Sequence, residues 1–337
     1  MTTAALVTLA EIEAAADRIR GIVLRTPLLE VDSRTVASDV PASGAVASDV
    51  VASGFSRKIY LKCENLQPMG AFKIRGAANM IARLGEDARR GVVTYSSGNH
   101  GQAVALAARQ RGIPALVVMP ETATRVKVEG AKRYGAEVMF AGRTSLDRQA
   151  RAEQEASSRG LPIVPPFDHP WIVAGAGTAG LEIVDQCSDA ATVYVPMGGG
   201  GLIAGVSAAI KQTRPDVRIV GVEPAGAPKM STSRAAGEPV TLPGTASIAD
   251  GLLALRPGDI TFAHTQAFVD DMVTVSEQSI LEAMRWLFRE ARLVAEPSGA
   301  VATAAVLQAG DRFAAPAVAI VSGGNVSAED YVRYLGS

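Results

Sequence analysis

Cysteine is scarce: the 337 residues hold two, Cys63 and Cys187. That excludes a disulfide framework and a cysteine-based metal finger, and it fits a reducing compartment. No segment approaches the roughly 18 to 20 consecutive apolar residues of a membrane-spanning helix. The start of the chain, with Glu11 and Glu13 soon after Met1, lacks the basic-then-apolar order of a secretory signal. An excess of positive charge is also missing, since 33 Lys+Arg face 34 Asp+Glu for a formal net charge of -1. A nucleic-acid binder is thereby disfavoured. What remains is the mix of an ordinary globular protein, 48% apolar and 20% charged, long enough for two lobes. The chain reads as soluble and cytoplasmic, with no nucleic-acid and no membrane partner.

Thr8 stands three residues before Glu11 and forms a capping box for an amphipathic helix that Gly21 ends. The pentapeptide VASDV then occurs at 36–40 and again at 46–50, which reads as a surface loop or extension. From residue 59 onward short β-branched runs alternate with Ala-rich helical segments. Strands are expected at 59–63, 91–96, 114–119, 136–140, 192–197, 218–223, 272–276 and 317–322. Helices are expected at 71–84, 99–111, 124–134, 144–159, 200–213, 276–291 and 298–308. Several of the strands are apolar at nearly every position, as strands covered on both faces are. The alternation predicts an open α/β architecture with ligands at the carboxyl ends of a parallel sheet. Eight strands also raise a closed (β/α)₈ barrel, but the helices do not follow each strand singly.

Four clusters fall at strand ends. In NLQPMGAFKIRGA, Lys73 opens a helix, where the helix dipole and the neighbouring Arg75 would lower its pKa and free a nucleophilic amine; a solvated first-turn lysine is the plainer reading. In YSSGNHG, the residues Ser96, Ser97, Gly98 and Asn99 either expose amides and hydroxyls to an anion such as a carboxylate or simply cap a helix. Four consecutive glycines, Gly198, Gly199, Gly200 and Gly201, precede a helix near Leu202. So much glycine is entropically costly and points to a backbone nest for phosphate. Finally, IVSGGN ends a strand at Ser322, whose hydroxyl can bond a heteroaromatic nitrogen. An activated lysine, a phosphate nest, a carboxylate loop and a partner for a ring nitrogen together describe a pyridoxal phosphate site.

The motifs CENLQPMGAFKIRGA, SSGNHGQA, GGGGLIAG, EPSGA and SGGN stand in the order seen in the fold-type II pyridoxal-phosphate enzymes. From RTPLL near residue 25 to SGGN, the chain resembles the threonine dehydratase and serine racemase family. The resemblance implies that Lys73 carries the cofactor covalently and that Asn99 bonds its phenolic oxygen. Gly198 through Leu202 would hold its phosphate, Ser322 would face its pyridine nitrogen and Phe72 would flank its ring. Ser96, Ser97, Asn99 and His100 would hold the substrate carboxylate. It further implies a large cofactor-binding domain from residues 1–74 and 161–337, a small mobile domain at 75–160, the cofactor in the cleft between them, and a homo-oligomer, a dimer. Ala71 stands where the family usually has Ser or Thr, and no regulatory domain is expected after residue 325.

The activity implied is elimination of water from a β-hydroxy amino acid, first L-threonine or L-serine, to give a 2-oxo acid and ammonia. Lys73 would take the α-proton, and in this family the cofactor phosphate assists loss of the hydroxyl. Serine racemase is the nearest alternative, with Ser97 as the second acid/base. Dehydration of 3-hydroxyaspartate or phenylserine follows. A nicotinamide-dependent oxidoreductase, prompted by GGGGLIAG, leaves AFKIRG and SGGN unexplained. Some family members bind a divalent cation through a glutamate, a carbonyl four residues on and a carboxylate six residues on. Here Glu223 and Ala227 are followed by Lys229, which either pairs with Glu223 or points to solvent, so no metal is expected. The loops 166–178 and 245–252 are expected to line the side-chain pocket. His169 and His264 sit in loop-like contexts and are read as surface or structural, and both cysteines as packed thiols.

Overall fold

The computed structural model describes residues 5–32, 58–96, 98–123 and 125–336. Both VASDV stretches and Ser97 lie outside the described residues. Helix α1 (Leu9–Arg18) opens the chain with the expected capping box between Thr8 and Glu11, and buries Ile12 and Ala15. Strand β1 (Leu28–Asp32) then pairs antiparallel with β2 (Lys58–Lys62). β1 is an addition to the eight expected strands, and it makes the sheet mixed rather than wholly parallel. Leu29 and Val31 alternate onto one packed cluster, but a single five-residue alternation is too short to announce an edge strand.

Helix α2 (Lys73–Leu84) leads into a run of β3 (Val92–Tyr95), α3 (Asn99–Gln110), β4 (Ala115–Met119), α4 (Arg125–Arg133), β5 (Glu137–Phe140) and α5 (Ser145–Arg159). Its three strands form a parallel sheet in the order β3-β4-β5. The chain then supplies α6 (Pro170–Gln186), β6 (Thr192–Pro196), α7 (Gly201–Thr213), β7 (Arg218–Pro224), α8 (Lys229–Ala236), α9 (Asp259–Phe268), β8 (Asp271–Val275), α10 (Glu277–Arg289), α11 (Pro297–Ala309), β9 (Ala317–Ile320) and α12 (Ala328–Gly336). The larger sheet runs β1-β2-β9-β6-β7-β8, parallel from β2 onward. Both sheets are open, which removes the barrel.

Residues 166–178 are not one loop, because α6 begins inside them. Pro170 sits in its first turn, and His169 Nδ1 accepts from the Trp171 amide at 3.1 Å. The helix is buried from Ile172 through Gly180, so it shows none of the polar face that marks a surface helix in a sequence. Glycines let its backbone approach two neighbours. A Cβ at Gly175 would lie 2.5 Å from the Arg75 carbonyl in α2, and one at Gly205 of α7 would lie 2.3 Å from the Val173 carbonyl. One helix therefore seats both the lysine helix and the glycine-loop helix. His264 likewise belongs to α9 rather than a loop, and its buried Nε2 accepts from the Val7 amide at 2.8 Å. Cys63 and Cys187 are free, buried thiols, and burial pushes each up to about 11.

Candidate active site

Lys73 is the first residue of α2 and Ser322 follows the end of β9. Backbone pairing brings the two segments together: the Phe72 amide donates to the Ser322 carbonyl at 3.1 Å and the Gly324 amide to the Gly70 carbonyl at 2.9 Å, while Ala71 bridges Gly323. Lys73 Nζ turns inward, donates to the Pro166 carbonyl at 2.6 Å and lies 5.1 Å from the centre of the Phe72 ring. Burial lowers its pKa to about 8.

Arg75 does not contribute to that shift as expected, because burial alone produces it. Its guanidinium is fully engaged away from Lys73, donating to both oxygens of Glu64 at 2.7 Å and to Glu182 at 2.7 and 2.8 Å. Lys62 joins the cluster by donating to Glu182 at 2.5 Å and to the Thr26 carbonyl at 2.9 Å. With two carboxylates facing two cations, the cluster has no net charge to press on Lys73.

The serine-asparagine loop joins the same place. Helix α3 takes Gly98 as its N-cap with no side-chain cap, so Asn99 is not spent on capping. Its amide nitrogen donates to Glu296 Oε1 at 2.5 Å, and its oxygen accepts from Asn325 Nδ2 at 2.8 Å. Ser96 Oγ accepts from the Gly98 amide at 3.1 Å. His100 is buried, with Nε2 at 3.0 Å from the Val164 carbonyl. Burial, and secondarily the charge of Lys73, push it down to about 3. Its ring is therefore neutral, and its buried Nδ1 has no hydrogen-bond partner among the described residues.

The four glycines connect β6 to α7. Gly200 is the helix N-cap at φ 100°, a left-handed conformation that favours glycine, and no side chain caps the helix. A Cβ at Gly199 would lie 2.4 Å from the Phe167 ring. The loop is thus pinned by packing while its first helical amides stay without a side-chain acceptor, the arrangement that receives a phosphate. Residues 166–168, at the start of the segment expected to line the side-chain pocket, tie the parts together. Pro166 meets Lys73, Phe167 covers the glycines, and Asp168 accepts from the amides of Asp259, Ile260 and Thr261 at 3.0 to 3.2 Å. Thr261 in turn donates its hydroxyl to the Gly199 carbonyl at 2.7 Å. Lys229 points inward, the first of its two readings, with its ammonium 3.3 Å from Glu223 Oε1.

The fold and these five converging motifs define an enzyme site, and the family model described as pyridoxal-phosphate dependent enzyme matches residues 45–323. The chain belongs to that family. It is 42% identical over 294 residues to an L-threonine ammonia-lyase of Thermotoga maritima, covering 87% of this chain and 73% of that one. It is 40% identical over 300 residues to a serine racemase of Oryza sativa subsp. indica, covering 86% and 88%. Among solved structures, maize serine racemase superposes with a TM-score of 0.88 at 36% identity over 98% of both chains. The residues present fit the family's cofactor: an inward amine of lowered pKa, an uncapped glycine nest, and a Ser322 hydroxyl whose 3.3 Å bond to the Ser298 carbonyl is long enough to be redirected.

Glu296, within the EPSGA motif, is a residue to which the sequence alone assigns no role. It is buried, and burial, reinforced by the charge of Asp250, raises its pKa to about 8. Its raised value means the folded protein keeps a proton that the unfolded chain has released. The stability this contributes is fully present below about pH 4.5 and lost as pH rises to about 8. Glu296→Gln preserves an acceptor for Asn99 but cannot ionise. In urea unfolding of the cofactor-free protein, the variant should gain on the wild type steadily between roughly pH 5 and pH 8. A difference that stays constant across that range would show that Glu296 is ionised throughout.

Proposed function

We propose that this protein is an ammonia-lyase that converts a β-hydroxy amino acid, first L-threonine or L-serine, to a 2-oxo acid and ammonia. The observation that carries the reading is the 42% identity to an L-threonine ammonia-lyase over most of the chain, joined to an inward Lys73 of lowered pKa. Lys73 would carry the cofactor, Asn99 would bond its phenolic oxygen, Gly198 to Leu202 would hold its phosphate, and Phe72 and Ser322 would meet its ring. Ser96, Ser97, Asn99 and His100 form the substrate-carboxylate end. Pyridoxal phosphate supplies an electron sink that makes the hydrogen on the substrate α-carbon acidic. Lys73 Nζ, once free, takes that proton. The β-hydroxyl leaves as water, in net terms with the proton taken from the α-carbon; the enamine that results becomes an imine, and its hydrolysis by a second water gives the 2-oxo acid and ammonia. Ser322, a neutral hydroxyl, gives the ring nitrogen a hydrogen bond rather than a full proton, which favours elimination over transamination.

The strands of the six-stranded sheet lie outside residues 75–160 and those of the three-stranded sheet lie inside them. That supports a small domain at 75–160 closing on a large one formed by 1–74 and 161–337. Lys127 of α4, which pairs with Asp250, is one contact across the cleft. Closure would bring the carboxylate loop to the substrate and exclude water. Among the described residues no helix is long and apolar enough to cross a membrane; a cytoplasmic homodimer is the assembly proposed.

Turnover of serine, threonine, 3-hydroxyaspartate and phenylserine in both configurations, read as 2-oxo acid, tests the substrate. L-Threonine and L-serine should lead, and a preference of about tenfold or more in kcat/KM for either of the others would overturn the assignment. The second reading, serine racemase, is favoured by the 40% identity to the rice racemase. Ser97→Ala separates the two, because racemisation needs an acid on the second face and elimination does not. D-serine formation should fall far more than 2-oxo acid formation. Equal losses would confine Ser97 to the carboxylate end and remove it as the second acid.

A further inference from the structure

Lys229 is among the largest side chains in the protein that are wholly buried, and it takes no part in the chemistry above. Its Nζ lies 3.0 Å from each of three backbone carbonyls, those of Met197, Ala227 and Leu252. A neutral amine has two hydrogens and a lone pair, so one of those carbonyls would face the lone pair. An ammonium has three donors and satisfies all three. Glu223 supplies the counter-charge at 3.3 Å. That carboxylate is itself fixed by the Met230 amide at 2.8 Å and by the Ser231 amide and hydroxyl at 2.9 and 2.7 Å.

The three carbonyls are not arbitrary. Met197 is the residue before the four glycines. Leu252 follows Gly251, and a Cβ at Gly198 would lie 3.1 Å from the Gly251 carbonyl and 3.3 Å from the Leu252 Cα. Met230, next to Lys229, lies within 3.2 Å of where a Cβ at Gly200 would stand. The ammonium therefore joins the segment entering the glycine loop, the segment packed on it, and the turn between β7 and α8. A loop of four glycines has little rigidity of its own, so its shape must come from such ties.

We infer that Lys229 is a positioning residue, a covalently tethered cation that holds the Gly198–Leu202 loop in its phosphate-binding shape. The inference rests on the reading of that loop as the phosphate site. It predicts that removing the amine weakens binding through the phosphate rather than through the rest of the cofactor, and that a chelator changes nothing, since this cation cannot diffuse away.

The test is the dissociation constant of the cofactor-free protein for pyridoxal phosphate and for pyridoxal, each read by absorbance, for the wild type, Lys229→Met and Glu223→Gln/Lys229→Met. The double variant avoids leaving a buried carboxylate without its partner, a change that could unfold the single variant. Wild type should prefer pyridoxal phosphate strongly. In both variants that preference should shrink by about tenfold to a hundredfold, the scale of one or two lost hydrogen bonds from a charged group, with pyridoxal affinity nearly unchanged. A preference retained in a folded variant overturns the role of Lys229. An equal loss for both ligands makes Lys229 merely structural and also overturns it. Wild-type affinity that falls on EDTA and returns with Mg²⁺ would assign the task to a diffusible ion. Absence of any phosphate preference in the wild type would instead refute the phosphate-loop reading itself.

Discussion

Lys73→Ala should give a folded protein that neither shows the visible absorbance of lysine-bound pyridoxal phosphate nor turns over substrate. The expected loss of kcat/KM is about 10⁴-fold or more, since one substitution removes both the attachment point and the base. Folding should survive for a physical reason. The amine's bond is to a single backbone carbonyl, Pro166, and alanine is a favourable residue at the start of a helix body. The pH dependence of reconstitution follows from the same group. With its pKa lowered to about 8 by burial, Lys73 carries an appreciable neutral fraction near neutrality, and the rate at which the cofactor-free protein takes up pyridoxal phosphate should rise with pH and level off above about 8. Retention of both absorbance and turnover in Lys73→Ala would remove the central assignment of the site.

Arg75→Met should cost stability on a scale comparable with the whole margin of many domains, roughly 3 to 5 kcal/mol. Arg75 bonds both oxygens of Glu64, a carboxylate that is completely buried, and reaches Glu182 and the Thr178 hydroxyl at 3.0 Å. Methionine fills much of the space but leaves Glu64 a buried charge without its bidentate partner. Glu64→Gln/Arg75→Met removes both charges and should recover a large part of the loss. Urea unfolding of the three proteins without cofactor measures this. A cost below about 1 kcal/mol in the single variant would mean that Lys62 alone compensates Glu64. Because Arg75 sits two residues beyond Lys73, the variant should also reconstitute poorly with cofactor, through a displaced first turn of α2 rather than through the charge of Lys73.

Local order decided much that could be read directly. Buried parallel strands such as ALVVM and TVYVP are apolar at nearly every position, and the Ala-rich segments between them leave few alternatives, so eight strands and the open α/β architecture were legible. The site motifs were legible for the same reason. A lysine at a helix start, four glycines after a strand and a serine at a strand end each answer a demand that backbone geometry makes locally.

Other features depended on what the chain meets after folding. Helix α6 shows no polar face from Ile172 through Gly180 because that stretch is enclosed by α2 and α7, and an enclosed stretch loses the periodicity that identifies a helix. Strand β1 is defined by its partner, not by its own five residues. Arg75 stands beside Lys73 in sequence, yet its charge is matched by Glu64 and by Glu182, which is 107 positions away. Glu296 acquires its raised pKa from burial and from Asp250. Lys229 was open between two orientations until the carbonyls of Met197, Ala227 and Leu252 converged on it. Sequence by itself determined which candidate groups for chemistry stand at strand and helix ends, because short-range geometry is written in adjacent residues. Only the tertiary structure decided the charge state and partners of those groups, because desolvation and Coulomb energy depend on neighbours distant along the chain.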